Sequence, residues 1–313
     1  TLFSEKIQEL KDRIASVIVG QEQTVDLVLT AILANGHVLI EGVPGVAKTL
    51  LARLTARLID ADFSRVQFTP DLMPSDVLGT TVFNMKTNGF DFHQGPIFAD
   101  IVLVDEINRA PAKTQAALFE VMEERQISID GTTHRMGDLY TILATQNPVE
   151  QEGTYKLPEA QLDRFLMKIT MDYPSLEEEV NILERHHTNV ALVKLDDITP
   201  AITKEELLSL RAFMNQVFVD RTLLQYIALI VQQTRTSKAV YLGASPRASV
   251  AMLQSSKAYA LLQGRDFVTP EDIKFVAPYV LQHRLILTAE AEMEGYSPVK
   301  VTQRLIDKVE VPK

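Results

Sequence analysis

A short glycine-containing segment constrains this chain more than any other feature of its sequence. The segment 42–49 reads GVPGVAKT, follows an apolar run from His37 to Glu41, and precedes a helical pattern from Leu50 to Ile59. A strand, a glycine-rich loop and a helix in this order can bind phosphate, because the first N–H groups of the helix point at the ligand. The sequence therefore predicts an α/β fold with a phosphate-binding loop at the end of a strand. An ordinary strand-to-helix turn is the alternative.

The residues of this loop have separate expected tasks. The side chain of Lys48 pairs with the β- and γ-phosphates of ATP, and the hydroxyl of Thr49 ligates Mg²⁺. Ala47 stands where such loops usually carry glycine, but a helical backbone at this position accepts a methyl group. The predicted nucleotide contacts in this part of the chain are Gly42, Val43, Pro44, Gly45, Val46, Ala47, Lys48, Thr49 and Leu50.

Two carboxylates follow the apolar residues Ile101 to Val104. They are Asp105 and Glu106, at the end of a predicted strand, where open α/β sheets bind their ligands. Asp105 is expected to hold Mg²⁺ through water, and Glu106 to orient and polarise the attacking water. Two acids in a solvated turn would look the same in isolation, and the upstream phosphate loop favours the catalytic interpretation.

Three further polar residues are candidates for catalysis. Asn147 follows the predicted strand Tyr140–Thr145, so its amide can hold the water or the γ-phosphate, although an Asn-Pro turn also forms for local reasons. Arg164 lies between the predicted sheet and a helical region, and Arg247 opens a predicted helix. Each arginine is either a solvated surface residue or a group that stabilises charge during phosphoryl transfer.

The order of the predicted elements indicates two domains. Residues 1–173 form a parallel sheet sandwiched by helices, and residues 174–313 form an all-α lid. Two hairpins are expected in the first domain, at 81–93 around Thr87-Asn88-Gly89 and at 127–136 around Asp130-Gly131. The predicted strands are Val38–Glu41, Val66–Thr69, Ile101–Asp105 and Tyr140–Thr145, and the predicted lid helices are Glu205–Val219, Leu223–Thr234, Ser249–Leu262 and Pro270–Leu287.

Composition limits the class of protein. The chain has 313 residues, 46% of them hydrophobic, with no cysteine and a formal net charge of −10. Residues 1–189 carry 16 Lys and Arg against 28 Asp and Glu, so nucleic acid is a less favoured partner for this part of the chain. No apolar run is long enough to span a bilayer, and the start lacks the pattern of a signal peptide. The ATP chemistry then indicates a cytoplasmic protein.

The order of these motifs resembles the AAA+ ATPases. Four stretches, GVPGVAKT, VDEINRAPAKTQAALFEVMEE, ATQNP and LPEAQLDRF, look like the MoxR branch of that family, and the resemblance covers nearly the whole chain. It implies that Val19 and Gly20 touch the adenine and that Arg164 reaches the ATP of an adjacent subunit. For Arg247, action on its own or on a neighbouring nucleotide stays open. The hairpin at 81–93 would lie inside a helix.

The resemblance also implies partners and a function. The implied assembly is a homo-oligomeric, hexameric ring. The implied function is chaperone-like remodelling that matures complexes of a client protein, often with a partner that contains a von Willebrand A domain. A ring motor that acts on nucleic acid and a small-molecule kinase are the alternatives. The apolar residues of the first hairpin are expected either to meet the client or to form a local core.

Overall fold

The computed structural model describes residues 2–42, 47–147, 155–188 and 194–313. Its strands are β1 Val38–Gly42, β2 Phe63–Gln67, β3 Gly79–Asn84, β4 Gly89–Gln94, β5 Ile101–Asp105, β6 Gln126–Ile129, β7 Thr132–Arg135, β8 Thr141–Gln146, β9 Met167–Met171, β10 Val240–Leu242 and β11 Ile286–Leu287. Its helices are α1 Leu2–Val17, α2 Glu22–Leu33, α3 Lys48–Leu58, α4 Pro74–Leu78, α5 Ala112–Glu124, α6 Glu159–Leu162, α7 Leu176–His187, α8 Lys204–Phe213, α9 Arg221–Thr236, α10 Pro246–Leu262, α11 Pro270–Leu281, α12 Ala289–Met293 and α13 Pro298–Lys308.

The centre of the fold is a five-stranded parallel sheet in the order β2-β5-β8-β1-β9. The four predicted strands are confirmed to within a few residues at their ends. The fifth, β9, was missed because it lies at the edge of the sheet and buries only alternate side chains, Met167, Ile169 and Met171. Such a strand lacks the continuous apolar run that marks a strand buried on both faces.

The two faces of the sheet have separate apolar layers. Alternation along β1 sends Val38 and Ile40 to one face and Leu39 to the other. The second face packs against α5 through Leu118 and Phe119. The first face packs against α1, α2 and α3, and the same cluster of buried side chains continues into α8, α9, α10 and α11. The sheet and the helical region therefore share one apolar core.

The lid is mainly helical, as predicted, with two corrections. The predicted helix Pro270–Leu287 ends at Leu281, and after a short 3₁₀ turn Ile286–Leu287 forms β11, which pairs with β10. The lid therefore contains a two-stranded antiparallel sheet in addition to its helices. The predicted helix Glu205–Val219 also ends early, at Phe213. The N-terminus of α11 is capped, because the Thr269 side chain accepts a hydrogen bond from the backbone N–H of Asp272.

Both predicted hairpins are present. Strands β6 and β7 meet at Asp130-Gly131, where φ is 50° and 79°, as a two-residue turn of the left-handed type requires. Strands β3 and β4 pair from Gly79 to Gln94, so this hairpin extends slightly beyond the expected range 81–93.

The expectation that the first hairpin interrupts a helix is wrong. The five-residue helix α4 precedes it, and the chain after it runs through residues 95–100 into β5 without helix. At the base of the hairpin, a Cβ on Gly95 would lie 2.3 Å from the carbonyl oxygen of Val77. This close approach packs the base of the hairpin against the end of α4, and Pro96 has no N–H with which to continue a helix.

None of the helices in the described segments combines the length and the apolar character needed to cross a bilayer.

Candidate active site

The end of β1 and the start of α3 surround the position expected for the phosphate-binding loop. Strand β1 ends at Gly42, and α3 begins at Lys48 without a side-chain cap on its N-terminus. The Nζ of Lys48 donates a hydrogen bond to the carbonyl oxygen of Gly42 at 3.1 Å. Thr49 and Leu50 occupy the first turn of α3, and Ala47 precedes it. Val43, Pro44, Gly45 and Val46 lie outside the described residues.

The charge of Lys48 is suited to an anionic ligand. Burial lowers the pKa of Lys48, and the nearby carboxylates of Asp105 and Glu106 oppose this effect. Their influence means that the amine lies near both acids, although Lys48 and the acids are far apart in the sequence. Uncapped N–H groups and a lysine at a helix start together form a donor set that fits phosphate.

Asp105 ends β5 and is held as a carboxylate. Its Oδ1 accepts a hydrogen bond from the Thr145 hydroxyl at 2.7 Å, and its Oδ2 lies 2.6 Å from Nη2 of Arg65. Burial alone would raise the pKa of Asp105, but these hydrogen bonds and the charges of Arg65 and Lys48 outweigh it. The pKa of Asp105 therefore lies below its ordinary value. Its charged carboxylate, next to the guanidinium group of Arg65, offers oxygen atoms to a metal ion.

Glu106 has an uncommon backbone conformation for a residue with a side chain. Its φ is 54°, in the left-handed region, and its backbone N–H donates to the Thr145 hydroxyl at 3.0 Å. Its carboxylate accepts from Nε2 of Gln67 at 3.1 Å and from Nη1 of Arg109 at 3.0 Å. Strained backbones of this kind cluster at functional sites, and here the strain re-aims one side chain directly after the strand.

Asn147 follows β8, which lies between β5 and β1 in the sheet. The carboxyl ends of these three parallel strands meet at one edge, so Asn147 lies on the same edge as Lys48, Asp105 and Glu106. The structure thus brings four of the predicted residues to a single edge, where open sheets bind ligands.

Val19 and Gly20 connect α1 to α2 at this edge. Gly20 has a φ of 75°, and a Cβ at this position would lie 2.2 Å from the carboxylate carbon of Glu178. Glu178 lies in the first turn of α7, which follows β9, and β9 ends at Met171 beside Gly42. Glycine at position 20 therefore allows this segment to lie against α7 next to the phosphate-binding position.

The two arginines lie at the opposite edge of the sheet, where the parallel strands begin. Arg164 precedes β9, and the backbone N–H of Leu166 donates to the carbonyl oxygen of His37, just before β1. Strand β1 has five residues and spans roughly 16 Å, so it separates this edge from Lys48. Arg247, at the start of α10, lies beside Arg164, because both form ion pairs with Glu123.

Arg284 fixes the segment that carries Arg164. Its side chain is 4% exposed, and its Nε donates to Asp163 Oδ1 at 2.7 Å. Its Nη groups donate to the carbonyl oxygens of Phe165 and Leu166 at 3.0 and 3.1 Å. This buried guanidinium group connects the lid to the sheet edge and was not found by sequence reasoning. A single arginine directly before the apolar residues Leu285 to Leu287 is the signal that could have indicated it.

Sequence reasoning also missed the polar groups that hold the two acids, namely Arg65, Gln67, Arg109 and Thr145. Arg65 and Gln67 lie at the end of β2, the strand next to β5. Polar side chains at the end of a predicted strand were the available signal, but only the strand order shows which strand they adjoin.

Comparison with known proteins identifies the family. Residues 37–167 match the profile of the ATPase family associated with various cellular activities (AAA), and residues 232–307 match that of the AAA lid domain. The chain is 47% identical to YeaC of Bacillus subtilis over 304 residues, and this alignment covers 96% of this chain and 93% of YeaC. It is 44% identical to the chaperone MoxR1 of Mycobacterium tuberculosis, over 95% of this chain and 80% of MoxR1.

The chain belongs to the MoxR family of AAA+ ATPases. It is also 31% identical to the protein MoxR of Methylorubrum extorquens, over 90% of this chain and 87% of that protein. Among solved structures, a protein from Cytophaga hutchinsonii superimposes with a TM-score of 0.91 at 41% identity and covers the whole chain. The MoxR-family assignment accounts for the parallel sheet, the helical lid and the nucleotide-binding edge described above.

Proposed function

We propose that this MoxR-family ATPase hydrolyses ATP at boundaries between copies of itself and uses the reaction to remodel a client protein. The observation that carries this proposal is that the predicted catalytic groups are divided between the two edges of the sheet at which the strands end and begin. Lys48, Asp105 and Glu106 lie at one edge, and Arg164 and Arg247 lie at the other. Because the strands between the edges span roughly 16 Å, these arginines reach the phosphate of a second copy rather than their own.

Each residue then has a role in the reaction. The N-terminus of α3 and Lys48 bind the phosphates, and Val19 and Gly20 lie against the adenine. The Thr49 hydroxyl would ligate Mg²⁺ and Asp105 would hold the ion through water, and the bound ion would stabilise negative charge on the phosphate oxygens. The ion pair between Asp105 and Arg65 supports a cation at this carboxylate.

The attacking water needs a base and an orientation. Glu106 is suited to accept its proton, because a left-handed turn points its carboxylate away from the strand and Gln67 and Arg109 hold it. The Asn147 amide lies one strand away and can orient the same water. Arg164 and Arg247 of the adjacent copy stabilise the charge that develops on the transferred phosphoryl group.

The wider proposal is a ring of identical subunits, hexameric by resemblance to other AAA+ ATPases, that works in the cytoplasm where ATP is available. A division near residue 173 separates the part that contains the sheet from the lid. The client is a protein complex that contains a von Willebrand A domain. These statements rest on the family and on the name of the chaperone MoxR1.

The first hairpin supports a protein client rather than a nucleic acid. The tip of the β3–β4 hairpin exposes apolar side chains, namely Val82, Phe83, Met85 and Phe90. Nucleic-acid backbones are bound mainly by basic side chains, and Lys86 is the one lysine or arginine among residues 79–94. Phe92 differs from the tip residues, because it packs against the core and stacks on His134. The local-core interpretation therefore applies to Phe92, and the client interpretation applies to the tip.

Mixing two inactive variants tests the shared site. Lys48→Ala damages the phosphate-binding edge of its own copy, and Arg164→Ala damages the edge that faces a neighbour. An equimolar mixture is expected to recover part of the wild-type ATPase rate, because boundaries form between an intact Lys48 and an intact Arg164. The rate is measured by phosphate release at a fixed total protein concentration. A mixture that stays as inactive as its components, although gel filtration shows mixed assemblies, contradicts the proposal.

Replacing the hairpin tip tests the client surface. The double variant Phe83→Ser, Phe90→Ser removes a ring pair whose centroids are 5.3 Å apart and whose members are 49% and 73% exposed. We expect basal ATPase and the melting temperature to remain at wild-type values, since the core and the nucleotide edge are untouched. The ATP-locked variant Glu106→Gln should retain client proteins from a lysate. The same variant with Phe83→Ser and Phe90→Ser added should no longer retain them. Retention of the same proteins would assign the client contact to another surface.

A further inference from the structure

A single carboxylate lies between the two arginines at the edge opposite the phosphate-binding position. Glu123, at the C-terminal end of α5, has Oε2 2.8 Å from Nη1 of Arg164 and Oε1 3.1 Å from Nη2 of Arg247. Each oxygen of one anion is thus held by a different guanidinium group. This is the arrangement by which two arginines bind a phosphoryl group.

The surrounding charges make this carboxylate important. Nη1 of Arg247 lies 3.5 Å from Asp163, which is also paired with Arg284, and Arg125 lines the same surface pocket. Four arginines and two carboxylates therefore face this pocket. Removing the charge of Glu123 would leave Arg164 and Arg247 close together with Asp163 as the one carboxylate among the described pocket residues.

The end of α5 is held in place by a buried histidine. The Nδ1 of His37 accepts a hydrogen bond from the backbone N–H of Ile142, and its Nε2–H donates to the carbonyl oxygen of Met122, both at 3.0 Å. Burial lowers the pKa of His37 to about 3, so the ring is neutral and this pattern of one acceptor and one donor persists. Met122 directly precedes Glu123, and the carboxylate is therefore presented from a rigid edge.

The guanidinium group of Arg164 is turned toward its own chain in this arrangement. Its side chain is 24% exposed, and its Nη1 also donates to the carbonyl oxygen of Phe119 at 2.7 Å. An arginine that acts on another copy must give up such internal contacts or exchange them for contacts with the ligand. The exchange is feasible, because Glu123 is 38% exposed and Arg247 is 55% exposed, and ion pairs of this exposure are weak.

We propose that Glu123 is an internal anion that holds Arg164 and Arg247 until a phosphoryl group of a neighbouring copy's ATP replaces it. This inference rests on the proposed function, in which both arginines act across the boundary between copies. A terminal phosphate has three acceptor oxygens and more negative charge than a carboxylate, so it displaces Glu123 where a neutral surface does not. Glu123 thereby makes association between copies depend on the bound nucleotide.

Replacing Glu123 by Gln tests this role in the full chain. The variant keeps the shape of the side chain but removes the competing charge, so the arginines become available without displacement. In the presence of a non-hydrolysable ATP analogue, the protein concentration at half-assembly is expected to fall about tenfold, which corresponds to the loss of one charged hydrogen-bonded competitor. Sedimentation velocity over a dilution series measures it.

The matched control is Glu124→Gln. Glu124 is the exposed neighbour on α5, has the same charge and forms no ion pair within the described part of the chain. This variant should assemble as the wild type does. Glu123→Gln that assembles at the same concentration as Glu124→Gln, or only at a higher one, overturns the inference and would make Glu123 a support for the arginines instead.

A second variant separates this inference from the proposal on which it rests. In the double variant Glu123→Gln, Arg164→Ala, the tenfold gain in assembly should be largely lost. The reason is that Arg164, which Glu123→Gln would release, is absent. If Arg164→Ala alone keeps wild-type hydrolysis, the shared-site proposal fails whatever Glu123 does. If Arg164→Ala is inactive and Glu123→Gln behaves as Glu124→Gln, only the role of Glu123 fails.

Discussion

Replacing Glu106 with Gln is expected to lower the rate of ATP hydrolysis by about 100-fold or more while ATP binding persists. The reason is that a general base contributes typically 10²–10⁴ to a rate, and an amide cannot accept the proton of the attacking water. The glutamine can still be held by Gln67 and Arg109, which contact the carboxylate in the structure, so the backbone turn at residue 106 should remain. Binding and chemistry should therefore separate in this variant.

Two measurements check the effect of Glu106→Gln. Single-turnover hydrolysis gives the rate of the chemical step, and titration with a fluorescent ATP analogue gives the affinity. Glu120→Gln, an exposed position on α5, is the control for the loss of one charge and should match the wild type in both. Lys48→Ala should instead bind ATP weakly, because it lacks the cation that pairs with the phosphates. Wild-type hydrolysis by Glu106→Gln would show that another group is the base.

Replacing Arg164 with Ala is expected to have a larger effect, about 10³-fold or more on the rate of hydrolysis. An arginine supplied by another chain contributes 10³–10⁵ to phosphoryl transfer when it stabilises charge on the transferred group. The ATP affinity of an isolated copy should change little, because Arg164 contacts α5 at the end of the sheet opposite Lys48. The wild-type rate per subunit should also rise with protein concentration, whereas the residual rate of the variant should not.

The experiment is a comparison of phosphate release per subunit over a wide range of protein concentrations. Arg221→Ala is a suitable control, because Arg221 is exposed at the start of α9 and forms no ion pair in the described segments. This control should behave as the wild type at all concentrations. A monomeric Arg164→Ala protein with full activity would eliminate the role of this residue across the boundary.

The sequence predicted the inner strands β1, β5 and β8 well, because strands buried on both faces leave continuous apolar runs. It did not predict β9, whose alternating pattern is typical of an edge strand, or β11, which pairs with a segment distant in the chain. Strand pairing of this kind depends on which segments meet in space, and local patterns contain no signal for it. The helix predicted to end at Leu287 was too long for the same reason, because its last residues form β11.

The candidate site was predictable in its parts but not in its arrangement. Motif spacing indicated Lys48, Asp105, Glu106 and Arg164, but only the strand order and the position of β9 place Arg164 at the far edge. The roles of Gln67 and Glu123 depend on side chains that come together through tertiary packing. Each of these polar residues alone resembles an ordinary solvated side chain.

The apolar core that the lid shares with α1, α2 and α3 has a mechanical consequence. Helix α10 packs directly on α2, and α11 packs on β9, so swinging the lid away would expose buried apolar side chains on these elements to water. Exposure of each such side chain costs about 1.5–3 kcal/mol, and together they resist any internal hinge at this interface. The sheet and the lid therefore favour moving as one rigid body within a copy, and in the proposed ring the movement would lie between copies.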